Sequence, residues 1–315
     1  MRLNSLKAIL KTTVRGASVL LLGAGLASAQ QQVNLSAGPS TITLPDGSAV
    51  PMWGYACGAV ATGSTATCAS LHTGATGWSP VLITVPSGQA LTINLTNNLT
   101  FGANSVPTSI TIVGQLGGGL GTTATSDPSP DHSNAQGATT WPIAGGPGAS
   151  APAQGNRVRS FSTEVAAAGT TAGTGQCASP CAVTWSSLRP GTYLIESGTH
   201  PSIQGPMGLY GVLVVTTAPS GTTPGTAYPA VGTTVPAVTY NAEIPLAFGE
   251  IDPVQNNAVN AAVGTTGFSE TNVWSGLPGG CGNPASATFH QCYPPAVNYT
   301  PLYYCLLYTS DAADE

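Results

Sequence analysis

The chain has 315 residues, with twelve acidic side chains, seven basic ones and a formal net charge of −5. Four of the seven basic residues lie in the leader at 1–29 and three of the twelve acids in the last five positions, which leaves three arginines, nine acids and no lysine between. Such a surface repels phosphate backbones and anionic lipid headgroups. The charge balance therefore argues against nucleic-acid binding and against attachment to an anionic membrane.

The first 29 residues have the pattern of a secretory signal peptide. A basic leader is followed by an apolar run at 17–26, and Ala27-Ser28-Ala29 fits a signal-peptidase site. The apolar run is about half as long as the roughly 20 residues that span a bilayer, so no membrane span is expected. We therefore expect residues 1–29 to be removed and the protein to be secreted, periplasmic or on the cell surface.

The mature chain is predicted to be an all-β sandwich. Helical periodicity is scarce, and short runs rich in Val, Ile, Thr and Leu alternate with Gly, Pro, Ser and Asn. The predicted strands are Ser40–Leu44, Met52–Ala56, Val81–Val85, Ala90–Asn97, Ser109–Val113, Val158–Thr163, Ala182–Trp185, Thr192–Glu196 and Tyr210–Thr216. LTINLTN at 91–97 alternates, as a half-exposed antiparallel strand does. GVLVV at 211–215 does not, which predicts a central strand covered on both faces.

Composition divides the chain further. Residues 30–217 are predicted to form one β domain with a Gly/Ser/Pro-rich insertion near 114–156, followed by a linker at 218–241. Residues 242–304 are predicted to begin a second, incomplete β domain. The tail at 305–315, CLLYTSDAADE, breaks composition and resembles a translated sequencing-library adaptor, so we expect the natural protein to continue past Tyr304. The alternative is an ordinary frayed acidic terminus.

Six cysteines precede that tail and form three pairs that are local in sequence. An even count in an exported chain predicts disulfides, with Cys57–Cys68, Cys177–Cys181 and Cys281–Cys292 as the local pairing. Metal binding by Cys177 and Cys181 is the alternative. It is disfavoured because no histidine lies near them in sequence and because thiolates suit reducing compartments.

The stretch PVLITVPSGQALTINLTNNL at 80–99 resembles the first cupredoxin domain of multicopper oxidases. In that family an apolar strand, a Gly-containing turn and an alternating strand ending in Asn-Asn-Leu precede the first copper loop. SVPTSITIVGQL at 105–116 follows in the same order. The likeness is closest to large secreted bacterial members, some linked to metal oxidation, and covers 36–215 well. It implies a cupredoxin-like Greek-key β-sandwich, copper as cofactor, and a small-molecule or metal-ion substrate oxidised at the expense of dioxygen.

In that family two His-x-His pairs of this domain bind a three-copper cluster. The first pair is expected after Pro107-Thr108-Ser109, where Ile110–Val113 stand instead. The second is expected after the Gly-Thr-Tyr strand, where Glu196–His200 stand. The whole stretch at 191–208, GTYLIESGTHPSIQGPMG, is predicted to be a strand, a short polar turn and a Gly-Pro-Met-Gly bend. Only His200 remains there as a candidate metal ligand, the alternative being a solvent-facing or structurally hydrogen-bonded histidine. Met207 is either a soft copper ligand or a core filler.

One imidazole with oxygen donors has neither the ligand number nor the softness of these copper sites, so copper is expected to be weak or absent in this chain. His72 and His132 lie in Gly/Ser loops and His290 lies beside Cys292, and all three are predicted to be surface residues. No catalytic residue stands out. The first hypothesis is an amino-terminal fragment of a secreted multicopper-oxidase-like protein, inactive alone, with redox sites mostly beyond Tyr304. The alternative is a non-catalytic cupredoxin-like structural or binding module.

Overall fold

The computed structural model describes residues 30–74, 77–121, 125–127, 156–266 and 268, together with the backbone of 304–309. Its strands are β1 (Gln31–Thr43), β2 (Ala49–Cys57), β3 (Thr67–Ser70), β4 (Val81–Pro86), β5 (Leu91–Asn97), β6 (Thr100–Phe101), β7 (Asn104–Ser105), β8 (Thr111–Ile112), β9 (Thr125–Asp127), β10 (Arg157–Ser160), β11 (Glu164–Val165), β12 (Gln176–Cys177), β13 (Cys181–Trp185), β14 (Gly191–Glu196), β15 (Tyr210–Thr216), β16 (Gly225–Tyr228), β17 (Val238–Tyr240), β18 (Leu246–Ile251) and β19 (Tyr304–Thr309). The helices are α1 (Pro201–Met207) and α2 (Pro253–Val263).

Two sheets form a β-sandwich, which confirms the predicted fold class. The first has the strand order β13-β5-β1-β2 and the second the order β3-β4-β15-β14-β8. Among the strands of these two sheets, the chain passes from one sheet to the other five times, between β2 and β3, β4 and β5, β5 and β8, β8 and β13, and β13 and β14. Each sheet contains one parallel pair, β1 with β5 and β4 with β15. Because parallel neighbours need a crossover connection, neither sheet is built from consecutive hairpins.

The core lies between the sheets and follows the predicted alternation. Leu91, Ile93 and Leu95 of β5 are fully buried against Ile83 of β4 and Leu213 of β15. Alternate residues of a strand point to one face, so the three apolar positions of β5 meet the opposite sheet. Thr92, on the other face of β5, is also buried, and its hydroxyl is hydrogen-bonded to that of Thr184 at 2.7 Å.

Strand β15 is the central strand of the second sheet, as its continuous apolar run predicts. Leu213 and Val215 face the main core, whereas Val212 and Val214 belong to a second apolar cluster that includes Trp78 and Ile251. The second cluster covers the outer face of the sheet. Both faces of β15 are therefore out of water, which is why its sequence does not alternate.

The prediction of a polar turn and a bend at 197–208 is wrong, because residues 201–207 form helix α1. Pro201 occupies the start of the helix, where its fixed φ suits a helical residue and its missing N–H costs nothing. Ile203, Gln204 and Met207 share one face and are fully buried. This burial outweighs the poor helix propensities of Gly205 and Pro206.

Helix α2 packs against β2. Val259 and Val263 are buried in the main core, and the side-chain amide of Asn256 donates to the carbonyl of Pro51 at 3.0 Å. The predicted start of a second domain at 242 stays a prediction, because residues 269–303 lie outside the described part of the chain. In the described residues no helix has the length and apolar character needed to cross a membrane.

Two of the three predicted disulfides are present. Cys57–Cys68 joins β2 to β3 and so ties one sheet to the other, and Cys177–Cys181 joins β12 to β13. The predicted Cys281–Cys292 bond lies outside the described residues.

Removing the inter-sheet bond is expected to cost more stability than removing the shorter one. A disulfide restricts the unfolded chain more when it closes a longer loop, and the two sequence separations are 11 and 4. We expect the paired change Cys57→Ala with Cys68→Ala to lower the free energy of unfolding by about 3 kcal/mol, and Cys177→Ala with Cys181→Ala by about 2 kcal/mol. Chemical denaturation measures both values, and peptide mapping without reductant checks the pairing. Equal losses, or bonds between the two pairs, would contradict the expectation.

Candidate functional site

The two segments that correspond to the copper-binding segments of the resembled family lie side by side. Strand β14 pairs with β8, which places Glu196 opposite Thr111 and Ile195 opposite Ile112. The fold therefore brings together the two segments at which the family resemblance places the histidine pairs. What differs is the chemistry of the side chains at those positions.

A buried polar network, which we define as Thr108, Ser109, Ser160, Ser197, Thr199 and Gln204, fills this place. Gln204 of α1 is its centre. The Gln204 Oε1 atom accepts hydrogen bonds from the hydroxyls of Thr108 at 2.8 Å and Ser197 at 2.6 Å, and its Nε2 donates to the carbonyl of Pro107 at 2.8 Å. These contacts fix α1 to the segment before β8 and to the end of β14.

The second half of the network surrounds Ser109. Its hydroxyl accepts the backbone N–H of Gly198 at 3.0 Å and lies 3.0 Å from the hydroxyl of Thr199, which is also 3.1 Å from that of Ser160. All six side chains of the network are at most 1% exposed. Buried polar groups are costly unless they are hydrogen-bonded, and here the hydroxyls satisfy one another.

Two titratable groups border the network. The Tyr55 hydroxyl donates to the carbonyl of Ser109 at 2.7 Å, and burial raises the pKa of Tyr55 well above its ordinary value. Burial also raises the pKa of Glu196, which is half-buried at the end of β14. Tyr55 therefore stays protonated and acts as a fixed donor to the segment before β8.

His200 contributes its backbone to this arrangement. Its N–H donates to the carbonyl of Arg159 at 2.9 Å, and its own carbonyl accepts from the N–H groups of Ile203 and Gln204 at 2.8 and 2.9 Å. It adopts a left-handed conformation, with φ 38° and ψ 62°, at the start of α1. His200 is thus the residue at which the chain turns from the β14 end into the helix.

A buried ion pair supports the same turn from the side of β10. The guanidinium of Arg159 makes two hydrogen bonds to the carboxylate of Glu164, one of them from Nε to Oε1 at 2.9 Å, and Gln176 donates to Oε2 at 3.1 Å. Glu164 is fully buried and the Arg159 side chain is 21% exposed. Since the Arg159 carbonyl holds His200, the ion pair positions the start of α1.

The network does not fit copper. Copper sites of the blue and trinuclear kinds use imidazole and thiolate ligands, whereas this place offers hydroxyl and amide groups that already bond to one another. Within the described residues no three His, Cys, Asp or Glu side chains converge in a way that could hold a metal ion. His72 is exposed. His132 and His290 lie outside the described part of the chain.

Sequence reasoning missed Gln204 and the hydroxyl cluster. Neither has a motif of its own. A signal was nevertheless present, because Thr108 and Ser109 stand just before the apolar strand β8 and Ser197 and Thr199 stand just after β14, the two segments at which the family resemblance places ligands. Met207 is fully buried in the main core, which favours the core-filler interpretation over that of a copper ligand.

No model of a known protein family matches this sequence, and no curated protein matches it. Solved structures similar to it include a multi-copper oxidase from Pseudomonas thermotolerans, with 16% identity and a TM-score of 0.31 over 60% of this chain and 30% of that one. Lac15 from a marine microbial metagenome has 19% identity and a TM-score of 0.28, over 58% of this chain and 31% of that one. The McoA multicopper oxidase 2F4 variant from Aquifex aeolicus has 15% identity and a TM-score of 0.28, over 60% of this chain and 27% of that one. The chain spans less than a third of the length of these proteins.

Glycine at position 200 is expected to give a more stable protein than alanine by about 1 kcal/mol. An alanine in the left-handed conformation is strained, whereas glycine adopts it freely. Both His200→Gly and His200→Ala remove the imidazole, so their difference isolates the backbone conformation. Denaturant unfolding of the two variants measures it. The opposite order, with alanine more stable, would show that residue 200 does not hold this conformation.

Proposed function

We propose that this chain is a non-catalytic, amino-terminal scaffold module of a larger secreted multicopper-oxidase-like protein. In that proposal the copper-dependent oxidation of a small-molecule or metal-ion substrate, coupled to dioxygen reduction, belongs to parts of the parent protein beyond these residues. The observation that carries it is the place where β8 and β14 meet. There β14 pairs with β8 as the family resemblance implies, while Ile110–Val113 occupy the place of the first histidine pair and a network of six buried polar side chains lies beside the paired strands.

The contacts of the network support a structural role. Its hydrogen bonds connect four parts of the chain, namely the segment before β8, the β14–α1 connection, α1 and β10. A fully connected buried network rigidifies a core, and a ligand could enter only by breaking bonds that the hydroxyls make with one another. The chemistry available here is therefore packing and positioning.

The alternative is a cupredoxin-like structural or binding module that belongs to no oxidase. The same network favours it equally, because it supplies no copper ligand in either case. The gene sequence that follows codon 304 distinguishes the two. His-x-His pairs and a His-Cys-His stretch there support the oxidase, and an in-frame continuation without them supports the module.

Export to an oxidising compartment is part of the proposal. The two disulfides are consistent with it, because such bonds persist outside the reducing cytosol. The partners would then be the remaining domains of the parent protein and its small-molecule or metal-ion substrate, with no nucleic acid among them.

Copper titration of the full chain tests the proposal directly. With hydroxyls in place of imidazoles, Cu(I) and Cu(II) should bind weakly and give no intense visible absorption, and the His200→Ala variant should titrate like the unaltered chain. The matched control is His72→Ala, which removes an exposed imidazole elsewhere. Tight, stoichiometric copper with a blue or trinuclear-type spectrum, lost in His200→Ala and kept in His72→Ala, would overturn the proposal.

A further inference from the structure

A concave feature lies at the opposite end of β14 and β15 from the polar network. It is a cavity of about 280 Å³ between the start of β14, the end of β15 and the chain that runs from β16 to β18. Gly191 pairs with Val215 at this end, and Glu196 pairs with Tyr210 at the other. Five residues of antiparallel strand separate the two places by roughly 17 Å, so the cavity is independent of the network.

The floor of the cavity is apolar and its mouth is open. Val214 is 6% exposed at the floor, where the second apolar cluster ends. Tyr228 and Ile244 are 52% and 55% exposed and belong to the lining. Large apolar side chains exposed together beside a concave surface are typical of ligand sites, which are mostly apolar with a few placed polar groups.

The polar groups that line the cavity include the phenol of Tyr240 and the carboxylate of Glu243. Tyr240 and Thr216 are hydrogen-bonded through their hydroxyls at 2.9 Å, which fixes the Tyr240 ring against the end of β15. Burial raises the pKa of Tyr240, its bond to Thr216 lowers it, and the nearby Glu243 carboxylate raises it again. A neutral phenol and an acidic side chain therefore stand next to each other on the wall of the cavity.

The charge of the lining selects for cations. Among the described residues that line the cavity, Glu243 is acidic and none is basic. The chain as a whole carries a net charge of −5, so its field also disfavours anions. Aromatic rings attract organic ammonium groups, and a carboxylate beside them strengthens that attraction.

We propose that this cavity binds a small organic cation, an ammonium group carried on a compact apolar body. The ammonium group lies by Glu243 and the rings of Tyr228 and Tyr240, and the apolar body lies on Val214. The site needs no metal and does not depend on the proposed scaffold function.

Three probes of nearly equal shape test the proposal with the full chain. Choline, 3,3-dimethylbutan-1-ol and 3,3-dimethylbutanoate carry a positive, neutral and negative charge on similar bodies. Titration followed by the NMR signals of the tyrosine rings should show choline binding at millimolar concentration, at least tenfold more tightly than the alcohol. The carboxylate should not bind. Equal affinity for choline and the alcohol, or no shift with choline up to 50 mM, would overturn the proposal.

Variants separate the site from general charge effects. Glu243→Gln should weaken choline binding about tenfold and leave the alcohol unaffected. Glu250→Gln makes the same change in net charge at an exposed residue outside the lining and should leave choline binding unchanged. Tyr228→Ala, at a half-exposed position, should also weaken choline binding. If Glu250→Gln matches Glu243→Gln, or if Glu243→Gln has no effect, the proposal fails.

Discussion

Replacing Gly208 by alanine is expected to lower the free energy of unfolding by about 4 kcal/mol. Three effects add to this loss: strain in a left-handed backbone, a steric overlap and a lost hydrogen bond. Gly208 ends α1 with φ 115°, which an alanine adopts only under strain. An added Cβ would lie 2.5 Å from the Trp53 carbonyl oxygen and 2.5 Å from the Trp78 indole nitrogen. That indole N–H donates to the carbonyls of Trp53 and Gly208, each at 3.1 Å, so the alanine would separate these groups.

Gly205 provides the matched control three residues earlier in the same helix. An added Cβ there meets no heavy atom within 4 Å, and its φ is not in the left-handed region. Alanine is the better helix former, so Gly205→Ala should raise the free energy of unfolding by about 0.5 kcal/mol. Urea unfolding followed by tryptophan fluorescence measures both variants. Similar small effects for the two would mean that the end of α1 does not pack against Trp78.

Changing Glu164 to glutamine is expected to destabilise the protein by about 4 kcal/mol, because it leaves the largely buried charge of Arg159 without its partner. The carboxylate accepts bonds from Arg159 at both oxygens and from Gln176 as well. An amide can accept at one of these positions only, and its NH₂ group would face another donor. Because the Arg159 carbonyl holds the N–H of His200, we also expect α1 to lose protection against amide hydrogen exchange.

Two comparisons distinguish the pair from a general effect of charge. Glu250→Gln removes an exposed carboxylate and should change the free energy of unfolding by at most about 0.5 kcal/mol. The double change Arg159→Met with Glu164→Met should cost less than Glu164→Gln, since no charge is left buried alone. Thermal and urea unfolding provide the measurements. A double variant less stable than the single one would refute the assignment of the loss to an unpaired charge.

The strands could be predicted because their signals are local. Each of the nine predicted strands overlaps an observed one, and Tyr210–Thr216 matches β15 at both ends. Apolar and polar residues alternate in β5 because one of its faces meets the core, and they do not alternate in β15 because both of its faces are covered. The sequence pattern of each strand therefore agrees with its burial. Strand β1 is longer than predicted, beginning at Gln31 instead of Ser40, because its first half pairs with β5 and its polar residues are compatible with an exposed face.

The sequence could predict which two segments meet at the candidate site, but not the helix and the side chains found there. The family resemblance indicated which two segments meet, and β14 does pair with β8. Helix α1 and the role of Gln204 depend on contacts across 96 residues, from Gln204 to Thr108, which no local pattern encodes. Gly and Pro at 205 and 206 argue for a turn, and only the burial of Ile203 and Met207 makes the helix favourable.

The parallel pairs of the sandwich also determine the order in which it can fold. Strand β4 pairs with β15, with Val81 opposite Gly211. Because β15 lies near the end of the domain, this central pairing cannot form until almost the whole domain has been synthesised. Strand β5 forms its parallel pair with the early strand β1, but its antiparallel neighbour β13, with Leu91 opposite Trp185, also comes late in the chain. Closing such long loops precedes any gain from the contacts, and proteins dominated by distant pairings fold in milliseconds to seconds. During that interval the apolar edge of β4 is open to other chains, so refolding yield should fall as protein concentration rises.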